Sequence, residues 1–163
     1  MQRLLCFFCV LLTVLLLVSS CAGGKTAPVE LLSDFCASYG EMPAGQVYHS
    51  GAAEWEEGYL SPALADGLFL EDNGENAFSL CRAYAIFLSS SFEGGEIAFL
   101  SCAGREDAVR VAEMCTARLA RIKQTKPDAA ILQDACVLRH GNTVVLLLLP
   151  DNIRAKEICK RLL

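Results

Sequence analysis

From Leu4 to Val18 the chain runs fifteen residues without a charge, behind Met1-Gln2-Arg3, and Thr13 is the only hydroxyl residue inside the run. A basic start followed by an apolar block of this length has the pattern of a secretory signal. As a helix, fifteen residues reach only about 22 Å at roughly 1.5 Å each, short of the roughly 20 residues that cross a bilayer core. The folded part is therefore expected downstream of this segment. Residues 1 to 20 are expected to be a signal helix that takes no part in the fold.

The block closes with Leu17-Val18-Ser19-Ser20-Cys21 and continues Ala22-Gly23-Gly24. An apolar residue, two small ones and a cysteine at the end of the apolar block resemble a lipobox. That resemblance implies diacylglycerol on the Cys21 thiol and cleavage just before it. The competing readings are an ordinary secretory signal, an uncleaved anchor and a buried core strand. The position of the cysteine at the end of the apolar block favours the lipobox. Two acyl chains, at about 0.8 kcal/mol per buried methylene, would anchor the protein durably. Residues 21 to 27 then read as a flexible tether of small residues.

Removing residues 1 to 20 from the 163 leaves 143, enough for one domain, expected over residues 28 to 163. The removed part carries one of the 14 basic residues and none of the 19 acidic ones, so the mature chain has 13 against 19, a net charge of −6. An acidic balance with no basic cluster argues against a nucleic-acid partner. Of nine cysteines, Cys6 and Cys9 leave with the signal and Cys21 takes the lipid, which leaves Cys36, Cys81, Cys102, Cys115, Cys136 and Cys159. An even number in an exported chain permits disulfides. Several of the six sit where an apolar residue is expected, so mostly reduced, buried cysteines are the preferred reading.

Along the domain, Val29, Leu32, Phe35, Cys36 and Tyr39 recur at helical spacing between Pro28 and Gly40. Residues 41 to 60 read as irregular, with room for one short strand. Ser61-Pro62 opens a short helix toward Leu70. Tyr84 to Leu88 and Ile97 to Leu100 form a hairpin pattern around Gly94-Gly95. The periodicity from Glu106 to Lys123 predicts a long helix with Val111, Cys115 and Leu119 inward and Arg121 on the wet face. Ala135 to Arg139, Gly141-Asn142 and Thr143 to Leu149 form a second hairpin, whose last strand is apolar on both faces and so expected to be central. A final helix places Ile153, Ile158 and Leu162 inward. Two strand-strand-helix units in series predict an α+β fold, with an antiparallel sheet of about four strands and helices packed on a face of it.

Tyr84-x-Ile86-x-Leu88-Ser89, Glu96-Ile97-Ala98, a helix with Asp107-Ala108 and Arg118, and the hairpin Gly141-Asn142-x-Val144 resemble the uncharacterised clostridial lipoproteins grouped as domain of unknown function 4358. The resemblance covers roughly residues 28 to 149. It implies the lipobox and the α+β fold, and it implies no reaction. Thr143 stands where the family pattern expects an aromatic residue after Gly-Asn.

Few residues carry chemistry. In the mature part no two cysteines lie closer than thirteen positions and His49 and His140 stand apart, so neither a metal nor a cofactor is expected. Aligning Gly74 with the glycine of a calcium loop puts Phe69 where a carboxylate is required, so Glu71 to Glu75 reads as an acidic turn. Ser89-Ser90-Ser91 lacks the G-x-S-x-G of a nucleophile elbow. Two features are candidates for ligand or partner contact. One is Trp55, Glu56 and Tyr59, where the only tryptophan lies among acids suited to a cationic peptide or a sugar face, against the plainer reading of a tryptophan sealing the core edge. The other is Arg118, as an anion ligand or, more plainly, a structural ion pair.

The expectation is a lipid-anchored module on the outer face of the cell membrane, held through Cys21. It would bind or scaffold an envelope protein and carry no catalytic activity. The alternative is an envelope hydrolase or other enzyme, which would require a pocket joining a nucleophile to a base.

Overall fold

The computed structural model describes residues 27–70, 74 and 76–163. The expected signal helix, Cys21 and nearly all of the expected tether lie outside these residues, as does most of the acidic turn at 71–75. The described elements are α1 (Pro28–Tyr39), β1 (Gly45–His49), α2 (Pro62–Phe69), β2 (Cys81–Ser89), β3 (Glu96–Cys102), α3 (Arg105–Thr125), β4 (Cys136–His140), β5 (Thr143–Leu148) and α4 (Asn152–Leu162). Single 3-10 turns stand at Ala77–Leu80, Phe92–Gly94 and Ala130–Leu132. The fold is α+β.

Helix starts follow local chemistry. At α1, Pro28 occupies the first turn and the Glu30 carboxylate accepts from the Ala27 N–H at 3.2 Å. At α2, Ser61 Oγ accepts from the Leu64 N–H at 3.2 Å, with Pro62 following it. At α4, Asp151 accepts from the Arg154 N–H at 2.9 Å. These caps satisfy N–H groups that the first helical turn leaves without partners.

The sheet has the order β1-β2-β3-β5-β4, and every neighbouring pair is antiparallel. β4 therefore runs parallel to β3, with β5 inserted between them. The β4–β5 turn is the expected Gly141-Asn142, closed by the pair His140 and Thr143. Gly141 has φ +58°, a conformation that glycine adopts without a Cβ penalty.

Helices cover both faces of the sheet. Ala98 and Leu100 of β3 and Val144 and Leu146 of β5 join α2, α3 and the Ala77–Leu80 turn in one core layer. Ile97, Phe99, Val145 and Leu147 point the other way, into a layer closed by α1 and α4. Strands with both faces buried need a continuous apolar run, which β3 and β5 supply. Each fully buried Leu, Val or Phe side chain contributes roughly 1.5–3 kcal/mol.

Several expectations need correction. The sheet has five strands where about four were expected, the fifth being a short strand, Gly45–His49, within residues 41 to 60, paired with β2. Its sequence, Gly-Gln-Val-Tyr-His, carries little apolar alternation, and backbone pairing makes it a strand. Glycine is required at its start, since a Cβ on Gly45 would come within 2.7 Å of the Phe87 ring. Helices pack on both faces, not one. β5 is interior, paired with β3 and β4, but the central strand is β3. Val29 and Ile153 face solvent, while Leu31 on α1 and Ala155 and Cys159 on α4 take the inward positions. Leu119 is only half-buried, and Met114 fills the α3 core position beside Val111 and Cys115. No helix among the described residues is long and apolar enough to cross a membrane.

Candidate functional site

Chain direction places the two candidate regions at opposite ends of β1. Its first residue, Gly45, pairs with Ser89, and its last, His49, pairs with Ala85. Four residues of strand separate the two ends by about 13 Å at roughly 3.3 Å per residue. The Trp55 loop leaves from the His49 end, and Arg118 lies against the Ser89 end.

The loop from Ser50 to Gly58 is pinned at its base. The His49 N–H donates to Gly58 O at 2.9 Å, and the Ala52 N–H to His49 O at 3.1 Å. Ser50 grips the edge of β2 twice, its N–H donating to Tyr84 O at 3.1 Å and its Oγ accepting from the Tyr84 N–H at 3.2 Å. Within the loop the Glu56 carboxylate accepts from the Ala53 N–H at 2.9 Å and the Glu56 N–H donates to Ala53 O at 2.9 Å. These bonds tie the loop at its base and across the Ala53–Glu56 turn, and its side chains are left to project. Trp55 is 86% exposed, and Glu54, Glu56 and Glu57 are exposed around it. The expectation that Trp55 seals the core edge is overturned. The ring stands in solvent within the turn that Ala53 and Glu56 close. Tyr59 sits half-buried at the root of the loop. Residues 50 to 60 contain no lysine or arginine to neutralise the three carboxylates.

Arg118 does not join this group. Its Nε and Nη2 donate to the two Glu96 carboxylate oxygens at 2.6 Å each, and its Nη1 donates to Leu68 O at 2.8 Å. The side chains are 14% and 7% exposed. Burial alone would lower the Arg118 pKa, but the hydrogen bonds and charge of Glu96 outweigh it and raise the value. The guanidinium is committed to a structural pair, which leaves no fork for a ligand anion. Beside it lies a cavity of about 300 Å³ bordered by Ser89, Ser90, Ser91 and Phe92. Ser89 Oγ donates to Ala44 O at 3.1 Å and accepts from the Ser91 N–H at 3.2 Å. With both Glu96 oxygens on Arg118, no carboxylate base faces that hydroxyl.

A second cleft of about 490 Å³ opens among Gly104, Arg105, His140, Asn142 and Leu163. Its lining brings no serine or cysteine to His140. Among the described residues no three Cys, His, Asp or Glu side chains converge as a metal set.

Glu96 is the residue that sequence reasoning missed as a partner. Its signal was its place, a lone carboxylate opening the apolar run Ile97-Ala98-Phe99-Leu100. A charge that starts a strand buried on both faces needs an opposite charge. Arg121 is not on a wet face either, being half-buried. It donates to Leu68 O at 3.2 Å and to Leu70 O, closing carbonyls at the C-terminal end of α2.

Comparison with protein-family models, curated proteins and solved structures found no match, so the likeness to clostridial lipoproteins rests on the residues quoted for it.

Proposed function

We propose that this chain is a bacterial lipoprotein of the clostridial kind it resembles, held on the outer face of the cell membrane by diacylglycerol on Cys21. Its α+β domain is a binding module without chemistry of its own. The partner is an envelope protein that offers a cationic segment to Trp55, with Glu54, Glu56 and Glu57 around it.

The observation that carries this reading is the exposure of Trp55 on a loop whose backbone is hydrogen-bonded in place. A large aromatic surface left in water on a fixed loop is a costly feature for a chain that can bury its other large rings. Arginine and lysine are attracted to the face of an indole, and nearby carboxylates strengthen that attraction. The preformed loop lowers the ordering cost of binding.

The test is a fluorescence titration of Trp55, the only tryptophan, with a lysine- and arginine-rich peptide and with an acidic peptide of equal length. The basic peptide should shift the emission saturably, and the response should weaken as salt is raised. Trp55→Phe, followed by calorimetry, and Glu54→Gln with Glu57→Gln should each weaken binding at least several-fold. Equal response to both peptides, or no saturable response, contradicts the reading.

A further inference from the structure

Cys81 and Cys102 are directly opposed across β2 and β3, although 21 positions separate them in the chain. Cys102 turns its backbone N–H and C=O toward the β5 side, the N–H donating to Asn142 O at 2.9 Å and the oxygen accepting from Asn142 Nδ2 at 2.7 Å. On the β2 side it therefore faces Cys81 as a pair without mutual N–H···O bonds. In a regular antiparallel ladder such positions put Cα atoms about 4.5 Å apart, at the near end of the roughly 4.4–6.8 Å that a disulfide spans, and across the register shift beside them Cys81 and Cys102 remain Cα partners. A register irregularity between Cys81 and Ala83 turns Cys81 to the same core layer as Cys102, under α3. In the structure both are free thiols packed against the same core layer, and burial raises the pKa of both, with smaller contributions from each on the other. The pair ties the start of β2 to the end of β3, three residues along the strand from Tyr84, on which the Trp55 loop is anchored.

We propose that Cys81 and Cys102 form a disulfide by exchange with a small-molecule or protein disulfide. One thiolate attacks the oxidant RS–SR, an R–S⁻ leaves and takes a proton, and a mixed disulfide forms on the protein. The second thiolate then attacks that mixed bond, a second RSH departs, and a Cys81–Cys102 bond is left. Two protein thiols lose two electrons and two protons, and RS–SR becomes two RSH. Burial holds both thiols in the unreactive protonated form once folded, so the exchange takes place while the hairpin is forming. This chemistry goes beyond the proposed binding role and does not depend on Cys21, because the oxidant can be supplied in the test tube.

The experiment uses the full chain purified in detergent, unfolded and reduced, then refolded in mixed oxidised and reduced glutathione, alkylated and digested without reduction. Mass spectrometry should recover the Cys81–Cys102 peptide pair as the main crosslinked species. Recovery of both as alkylated thiols, or of either chiefly joined to Cys115, overturns the proposal. In Cys102→Ser, Cys81 should be recovered as a thiol. If it joins another cysteine equally well in that variant, strand register does not select the partner and the proposal fails.

Discussion

Arg118 and Glu96, 22 positions apart, meet as a two-pronged ion pair, each of two guanidinium nitrogens 2.6 Å from its own carboxylate oxygen. The pair lies between α3 and the first residue of the central strand, and through Leu68 O it also holds the end of α2. Removing one member leaves the other charge buried alone, so Arg118→Ala should cost about 3–5 kcal/mol. Replacing both, as Arg118→Met with Glu96→Leu, should recover most of that loss. A double-mutant cycle by denaturant unfolding checks this, and strictly additive losses would show that the two do not act together.

The faces of α3 give a second set of outcomes. Met114 is fully buried, so Met114→Ala should cost about 2–5 kcal/mol, and half-buried Leu119→Ala should cost less. Glu113→Ala, on the exposed side, should stay within about 0.5 kcal/mol. Arg121→Ala should fall between them at about 1 kcal/mol, because it frees the carbonyls of Leu68 and Leu70. Urea unfolding of the four variants separates these ranks.

Asn152 is a buried amide with each hydrogen-bonding atom in use. Its Oδ1 accepts from the Leu149 N–H at 2.8 Å, and its Nδ2 donates to Ile131 O and Gln133 O at 2.8 Å each. It joins the end of β5, the Ala130–Leu132 turn and α4. Asn152→Asp should destabilise more than Asn152→Ala, because a carboxylate would face two carbonyl oxygens in place of an NH₂. Thermal unfolding at neutral pH checks the order; equal losses would mean that these bonds do not set the role of Asn152.

The thiols make stability depend on pH at the alkaline end. Burial pushes Cys115 from 9.0 to about 12, with the charge of Glu96 adding and that of Arg118 opposing. Burial, then Cys136, pushes Cys159 from 9.0 to about 12. Between pH 9 and 12 the unfolded chain loses these protons while the folded chain keeps them, so stability falls as pH rises, by up to about 1.4 kcal/mol per pH unit for each thiol. Stability is fully present below pH 9. Unfolding midpoints at successive pH values should slope less in Cys115→Ala than in the wild type, and parallel slopes would contradict the assignment.

Periodicity revealed the helices and both hairpins, because apolar spacing of 3.6 or 2 is a local property of the chain. The burial of β5 on both faces was also readable, since Thr143 to Leu149 offers no polar face. What stayed hidden depends on distant partners. β1 is made by pairing with β2 rather than by its own side chains. Asn152 reads as the opening of a helix until Ile131 and Gln133 arrive beside it. The exposure of Trp55 is not legible from residue type, because it depends on a turn closed between Ala53 and Glu56 in a loop whose base is tied by His49 to Gly58.

The proposed lipid on Cys21 is what would hold the domain at the membrane. Cells expressing the full chain are fed a radiolabelled or alkyne-bearing fatty acid, and the protein is immunoprecipitated from membranes. Label should enter the wild type and be absent from Cys21→Ala, which should also leave the membrane fraction or stay joined to its uncleaved leader. Equal labelling of the two proteins, or no label in either with both fractionating alike, contradicts the lipoprotein reading.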